Sequence, residues 1–95
     1  MVALMDTRSH IEQKLREALK PVEIDVIDQS AEHAGHAGAA GGGGHFRVLI
    51  VADAFDGLSP VQRQRRVYEI LAEEMKAAIH ALSMTCLSRS EYEAD

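Results

Sequence analysis

The chain has 95 residues, enough for one small domain, and its 10 basic and 15 acidic side chains leave a net charge of −5 with neutral histidines. Its longest apolar run, Val48 to Ala52, is far shorter than the roughly 20 residues of a membrane-spanning helix, and we expect no secretion signal because the first residues lack a basic start and a long apolar stretch. The negative net charge argues weakly against an obligate nucleic-acid binder. The single cysteine excludes an internal disulfide and fits a reducing, cytoplasmic location.

The first predicted elements are a helix and a strand. The helix covers residues 6–20, because apolar side chains recur at helical spacing from Ile11 to Leu19 and Pro21 ends the element. Alternating apolar and acidic residues then predict a strand over 22–30, with one buried and one wet face.

The middle of the chain has an unusual composition. Residues 31–44, AEHAGHAGAAGGGG, contain six of the seven glycines and are typical of a mobile loop. The apolar segment 45–53 predicts a strand that is covered on both sides or placed centrally. Serine, proline and glutamine at the start of 59–76 predict a capped helix, residues 79–87 a third strand, and the acidic tail 90–95 either frays or forms a short helix.

The predicted fold class is α+β, a single small domain of order α-β-β-α-β with a three-stranded mixed sheet and helices packed on it. The first two strands are joined by a loop and are expected to pair antiparallel, whereas a crossover helix makes the last two parallel. The inward stripe of the long helix is predicted to include Tyr68 beside Val67. One face of the third strand is predicted to carry His80, Leu82, Met84 and Cys86.

Four of the five histidines are predicted to lie near one edge of the sheet. Parallel neighbouring strands begin at the same edge, so His45 and His80 come together, and the loop with His33 and His36 leads into His45. Neutral imidazoles so placed suit Zn²⁺, Cu²⁺ or iron. A histidine at a strand edge is nevertheless more often solvated or hydrogen-bonded than a ligand, and His10, near the start of the first helix, is expected in solvent.

The sequence resembles the BolA-like family in four segments, and the resemblance covers about residues 9–93. The segments are HFRV (45–48), FDGLSPVQRQRRVY (55–68), LAEEM (71–75) and IHALS (79–83). The resemblance implies a fold similar to a type II KH domain, in agreement with the element order. It also implies a cytosolic protein that is not an enzyme, is monomeric and without cofactor when isolated, does not bind membranes, and forms a heterodimer with a monothiol glutaredoxin.

The same resemblance implies a [2Fe–2S] cluster shared between the two proteins. The glutaredoxin supplies its cysteine and a bound glutathione thiol, and His80 is the ligand from this chain. A second ligand from the loop is His33, which follows Ser30 by three residues as in the family, with His36 and His45 as alternatives. Cys86 is six residues from His80, about 20 Å along an extended strand, so the two are not expected to share a metal.

An alternative function is that of a transcriptional regulator that binds DNA, as described for some family members in stress and morphology responses. The candidate contacts are Arg63, Arg65 and Arg66 near the start of the second helix, together with Arg47. These arginines offer few phosphate contacts on an acidic domain, so a solvated helix face or a contact with glutaredoxin are the competing interpretations. No catalytic residue is predicted.

Overall fold

A computed structural model of the chain describes residues 6–30 and 44–94. The helices and strands are α1 (Thr7–Leu19), β1 (Glu23–Asp28), β2 (Gly44–Val51), α2 (Pro60–Ile70), α3 (Ala72–Ala77), β3 (Ile79–Leu87) and α4 (Arg89–Glu93), and a 3-10 turn, Asp53–Phe55, follows β2. The predicted loop 31–44 lies outside the described residues except for Gly44, which begins β2. None of the helices within the described ranges is long and apolar enough to cross a membrane.

The sheet has the predicted topology. Its strand order is β1-β2-β3, β1 pairs antiparallel with β2, and β2 pairs parallel with β3. The central position of β2 explains its long apolar run, since Val48 and Ile50 are fully buried. The predicted α+β class is therefore confirmed.

The hydrophobic core lies between one face of the sheet and the helices. Its members are Ile11, Leu15 and Leu19 of α1, Ile24 and Val26 of β1, Phe46, Val48 and Ile50 of β2, and Ala52, Phe55, Val67, Leu71 and Ile79. On the opposite face Asp25, Arg47 and Ser83 are exposed. Among the described residues, β2 is thus central in the sheet and exposes part of its second face.

The two main helices begin and end where local chemistry satisfies their free backbone groups. The Asp6 side chain accepts a hydrogen bond from the Ser9 amide at 2.8 Å and caps α1, which ends at Lys20 in the left-handed conformation with φ 48°. Ser59 caps α2 and forms the predicted capping box with Gln62. These caps place both helices within one or two residues of their predicted starts.

The prediction of one continuous helix over residues 59–76 is wrong in one respect, because the structure has two helices there, α2 and α3. Leu71 separates α2 from α3 with φ −99° and ψ 20°, and its side chain is fully buried. The buried stripe of α2 consists of Arg63 and Val67, which are spaced by four residues, so Tyr68 lies outside the stripe and is 41% exposed. The prediction of Tyr68 as an inward residue is therefore wrong.

An ion-pair cluster joins α3 to α1. The buried Glu74 carboxylate accepts hydrogen bonds from Lys14 Nζ at 3.0 and 3.1 Å and lies 2.6 Å from His10 Nε2. Burial raises the pKa of Glu74, but the hydrogen bonds from Lys14 and His10 outweigh it and hold the pKa below its ordinary value. His10 is exposed, as expected, but its imidazole also has a carboxylate partner that the sequence did not predict.

Candidate functional site

Two histidines meet at one edge of the sheet. His45 near the start of β2 and His80 near the start of β3 have ring centroids 5.2 Å apart, with the ring planes inclined by 35°. His80 is exposed and His45 is half-buried. The parallel pairing of β2 and β3 brings together these residues, 35 positions apart in the sequence, as predicted. We call His45 and His80 the histidine pair.

A β-bulge controls the direction of His80. Gly44 is opposite Ile79 and His45 is opposite Ala81, so His80 is an extra residue in β3 without a counterpart on β2. The extra residue reverses the alternation of faces, because Ile79 lies in the core and His80 is exposed. Leu82, Met84 and Cys86 share one face as predicted, and that face packs against the core, but the prediction that His80 shares it is wrong.

The backbone around His45 is held from both neighbouring strands. The His45 amide donates to Ser30 Oγ at 3.1 Å, and its carbonyl accepts from the Gln29 amide at 2.7 Å. On the other side, the Gly44 amide donates to the Ala78 carbonyl at 2.9 Å. The start of β2 is therefore fixed between the end of β1 and the start of β3.

The four candidate arginines have two different environments. Arg63 is buried, with Nε donating to the Leu58 carbonyl at 2.9 Å and Nη1 donating to the Cys86 carbonyl at 3.0 Å and to Glu91 Oε1 at 2.6 Å. Its assignment to an exposed basic surface is wrong, because its donors are used inside the fold. The other three are exposed and, within 6–30 and 44–94, form no ion pair: Arg47, Arg65 and Arg66.

Comparison with known proteins identifies the family of the chain. The family model described as BolA-like protein matches residues 15–91, most of the chain. The chain belongs to the BolA-like family. In agreement, its structure superposes on that of BolA1 from Arabidopsis thaliana with a TM-score of 0.81 and 41% identity, covering 94% of this chain and 98% of the other.

Two sequence relatives of this BolA-like chain differ in length. One is the DNA-binding transcriptional regulator BolA of Escherichia coli, 39% identical over 94% of this chain and 82% of the relative. The other is SufE-like protein 1, chloroplastic/mitochondrial, of Arabidopsis thaliana, 43% identical over 96% of this chain but 26% of the relative. The chain thus spans about a quarter of the length of the second protein.

The iron–sulfur cluster that the family resemblance led us to expect can be compared with the geometry of the histidine pair. With metal–nitrogen bonds of about 2.0–2.1 Å, two imidazoles on one tetrahedral ion have nitrogens about 3.4 Å apart, and rings 5.2 Å apart can be so arranged. The described part of the BolA-like chain contains no group of three or more His, Cys, Asp or Glu side chains able to hold a metal. The pair alone therefore leaves a cluster incomplete.

The remaining candidate ligands divide into two cases. His33 and His36 lie outside the described residues. Cys86 is packed against the core, and burial raises the pKa of its thiol to about 11, although the charge of Arg63 opposes the shift. A thiol with that pKa is protonated near neutral pH, so Cys86 of this BolA-like chain is a poor source of thiolate.

Sequence reasoning missed two residues beside the pair, Ser30 and Gly44. Composition assigns Gly44 to the loop, and the sequence places Ser30 at the end of the predicted strand 22–30 and three residues before His33. The available signal is position, since Ser30 directly precedes the glycine-rich segment of the BolA-like chain and Gly44 is the last residue of that segment.

Proposed function

We propose that this chain is the histidine-donating partner of a monothiol glutaredoxin and that the two proteins share a [2Fe–2S] cluster in iron–sulfur trafficking or iron-dependent regulation. The observation that carries the proposal is the histidine pair at the exposed edge of the sheet, with ring centroids 5.2 Å apart. Membership of a family that includes a part of SufE-like protein 1 is consistent with it.

The ligand count explains why a partner is needed. A [2Fe–2S] cluster is usually held by four protein or thiol ligands. This chain has one cysteine, and its thiol is half-buried with a raised pKa. Thiolates must therefore come from outside, in this proposal from the glutaredoxin cysteine and glutathione, and no membrane or catalytic step is involved.

The chain's own contribution is a neutral imidazole. His80 is the first ligand, because it is exposed and directed away from the core by the bulge. The second is His33, with His36 and His45 as alternatives, and of these three His45 lies in the described part of the chain, beside His80. An imidazole in place of a thiolate raises the reduction potential of the cluster, and protons compete with the metal for it at acidic pH.

The test is co-purification with a monothiol glutaredoxin and glutathione, followed by visible circular dichroism. We expect His80→Ala to change the cluster spectrum and shorten its lifetime, and His45→Ala to do so if His45 is the second ligand. His10→Gln is the matched control, because His10 is the one other described histidine and its partner is Glu74. A His80→Ala complex with the spectrum and lifetime of the wild type would refute the role of His80.

DNA binding is a second candidate function, favoured by Arg65 and Arg66 on α2, which are exposed and form no ion pair with another described residue, and by the name of the Escherichia coli relative. Two phosphate contacts predict that affinity falls about tenfold between 50 and 200 mM salt. The measurement is a titration of duplex DNA at those two salt concentrations, with Arg65→Gln/Arg66→Gln as the variant. Absence of binding at 50 mM salt, or unchanged binding by the variant, excludes this function.

A further inference from the structure

The position of His80 depends on where the bulge in β3 occurs. If β2 and β3 paired without interruption from Gly44 onward, His80 would follow the alternation of Leu82, Met84 and Cys86 and face the core. Instead the register shifts at the step from Gly44 to His45. The residues that determine this shift therefore determine whether the histidine pair exists.

Gly44 permits the shift because it has no side chain. A Cβ atom built on Gly44 would lie 2.5 Å from Cε2 and 2.8 Å from Cζ of Phe46, and 2.9 Å from Oγ of Ser30. The Phe46 ring is in the core, only 3% exposed, so it has little room to move. Among the described residues Gly57 is the glycine with positive φ, so the backbone of Gly44 does not itself require glycine. The constraint at Gly44 is therefore the lack of space for a side chain.

Ser30, which follows β1, fixes the start of β2 by hydrogen bonding. Its Oγ accepts the His45 amide at 3.1 Å, and its own amide donates to Asp28 Oδ1 at 2.8 Å, which fixes the turn after β1. The hydroxyl that binds His45 therefore also occupies the space beside Gly44. The two residues act on one position, the start of β2, next to the Gly44–Ala78 hydrogen bond.

We infer that Ser30 and Gly44 are positioning residues for the histidine pair. The Ser30 hydroxyl binds the His45 amide and, with the Phe46 ring, leaves no room for a side chain at Gly44, where the β2–β3 register shifts and brings His80 beside His45. Neither residue is assigned a ligand role. The importance of the pair as a ligand rests on the proposed function, whereas the geometric part of the inference concerns the isolated chain alone.

The first experiment measures the nuclear Overhauser effect between the two imidazole rings in the isolated chain. We expect the wild type to show it, Gly44→Ala to lose it, and Ser30→Ala to weaken or lose it. Gly57→Ala is the matched control: it strains a backbone with φ 81° but has no atom within 4 Å of the new Cβ, and it is expected to retain the effect. Ser30→Ala keeps the inference testable if Gly44→Ala does not fold.

The second experiment measures cluster loss from the complex with glutaredoxin. Removing a residue that orients a metal ligand commonly costs 10–100-fold in affinity, so Ser30→Ala and Gly44→Ala should lose the cluster at least about tenfold faster than Gly57→Ala. If Ser30→Ala and Gly44→Ala both keep the ring contact and the cluster lifetime of the wild type, the inference is overturned and the proposed function still stands. If even the wild type forms no cluster, the proposed function fails and the ring contact alone decides the inference.

Discussion

Replacement of Arg63 by methionine is expected to lower the free energy of unfolding by at least about 2 kcal/mol. The guanidinium donates to the carbonyls of Leu58 and Cys86, and each such bond contributes about 1 kcal/mol net. The ion pair with Glu91 and the position of the guanidinium 5.9 Å from the Phe55 ring centroid add to this loss. Methionine keeps most of the aliphatic packing, so the change isolates the polar contacts.

The measurement is urea unfolding followed by circular dichroism, with the midpoint and the slope both recorded. For a domain of this size the expected loss lowers the melting temperature by at least about 8 °C. Arg65→Met is the matched control, because Arg65 is on the same helix and exposed, and surface changes of this kind stay within about 0.5 kcal/mol. Equal midpoints for the two variants would show that Arg63 does not stabilise the fold.

Three further outcomes are expected. At pH 8, alkylation of Cys86 should be about 100-fold slower in the native chain than in urea, because burial raises its pKa from 9.0 to about 11; equal rates would contradict this. A hydrogen bond from Arg63 lowers the pKa of Glu91 to about 2, so stability should fall as the pH drops from about 4.5 toward 2, and Glu91→Gln should flatten that part of the curve measured by urea titration. Gly57→Ala should cost about 1–2 kcal/mol, because φ is 81° and the new methyl group enters open space, and a thermal melt unchanged from wild type would contradict the assigned conformation.

The strand order and the meeting of His45 with His80 followed from the sequence because they depend on chain connectivity. A helix between two strands makes them parallel, and parallel strands begin at one edge. The direction of His80 did not follow, because both alternations through β3 contain apolar residues. The register shift lies at Gly44, where an added Cβ would meet the side chains of Phe46 and Ser30, and Ser30 is 14 residues away in the sequence.

Arg63 shows the same limit for charged residues. Its spacing of four from Val67 was a visible sign that it lies on the buried stripe of α2. Its carboxylate partner, Glu91, is 28 residues further along the chain, so the local pattern indicates burial of Arg63 but does not show what neutralises its charge. Hydropathy patterns place the apolar core well, whereas the partners of buried charges depend on tertiary structure.

The division of the histidine pair between two strands affects when it can exist during biosynthesis. His45 is synthesised 35 residues before His80, and β3, which follows α2 and α3 in the chain, must be synthesised before it can pair with β2. A nascent or truncated copy that ends before residue 80 therefore contains only one of the two imidazoles. Only a copy that has completed its last strand acquires the arrangement, which makes the pair a marker of correct folding.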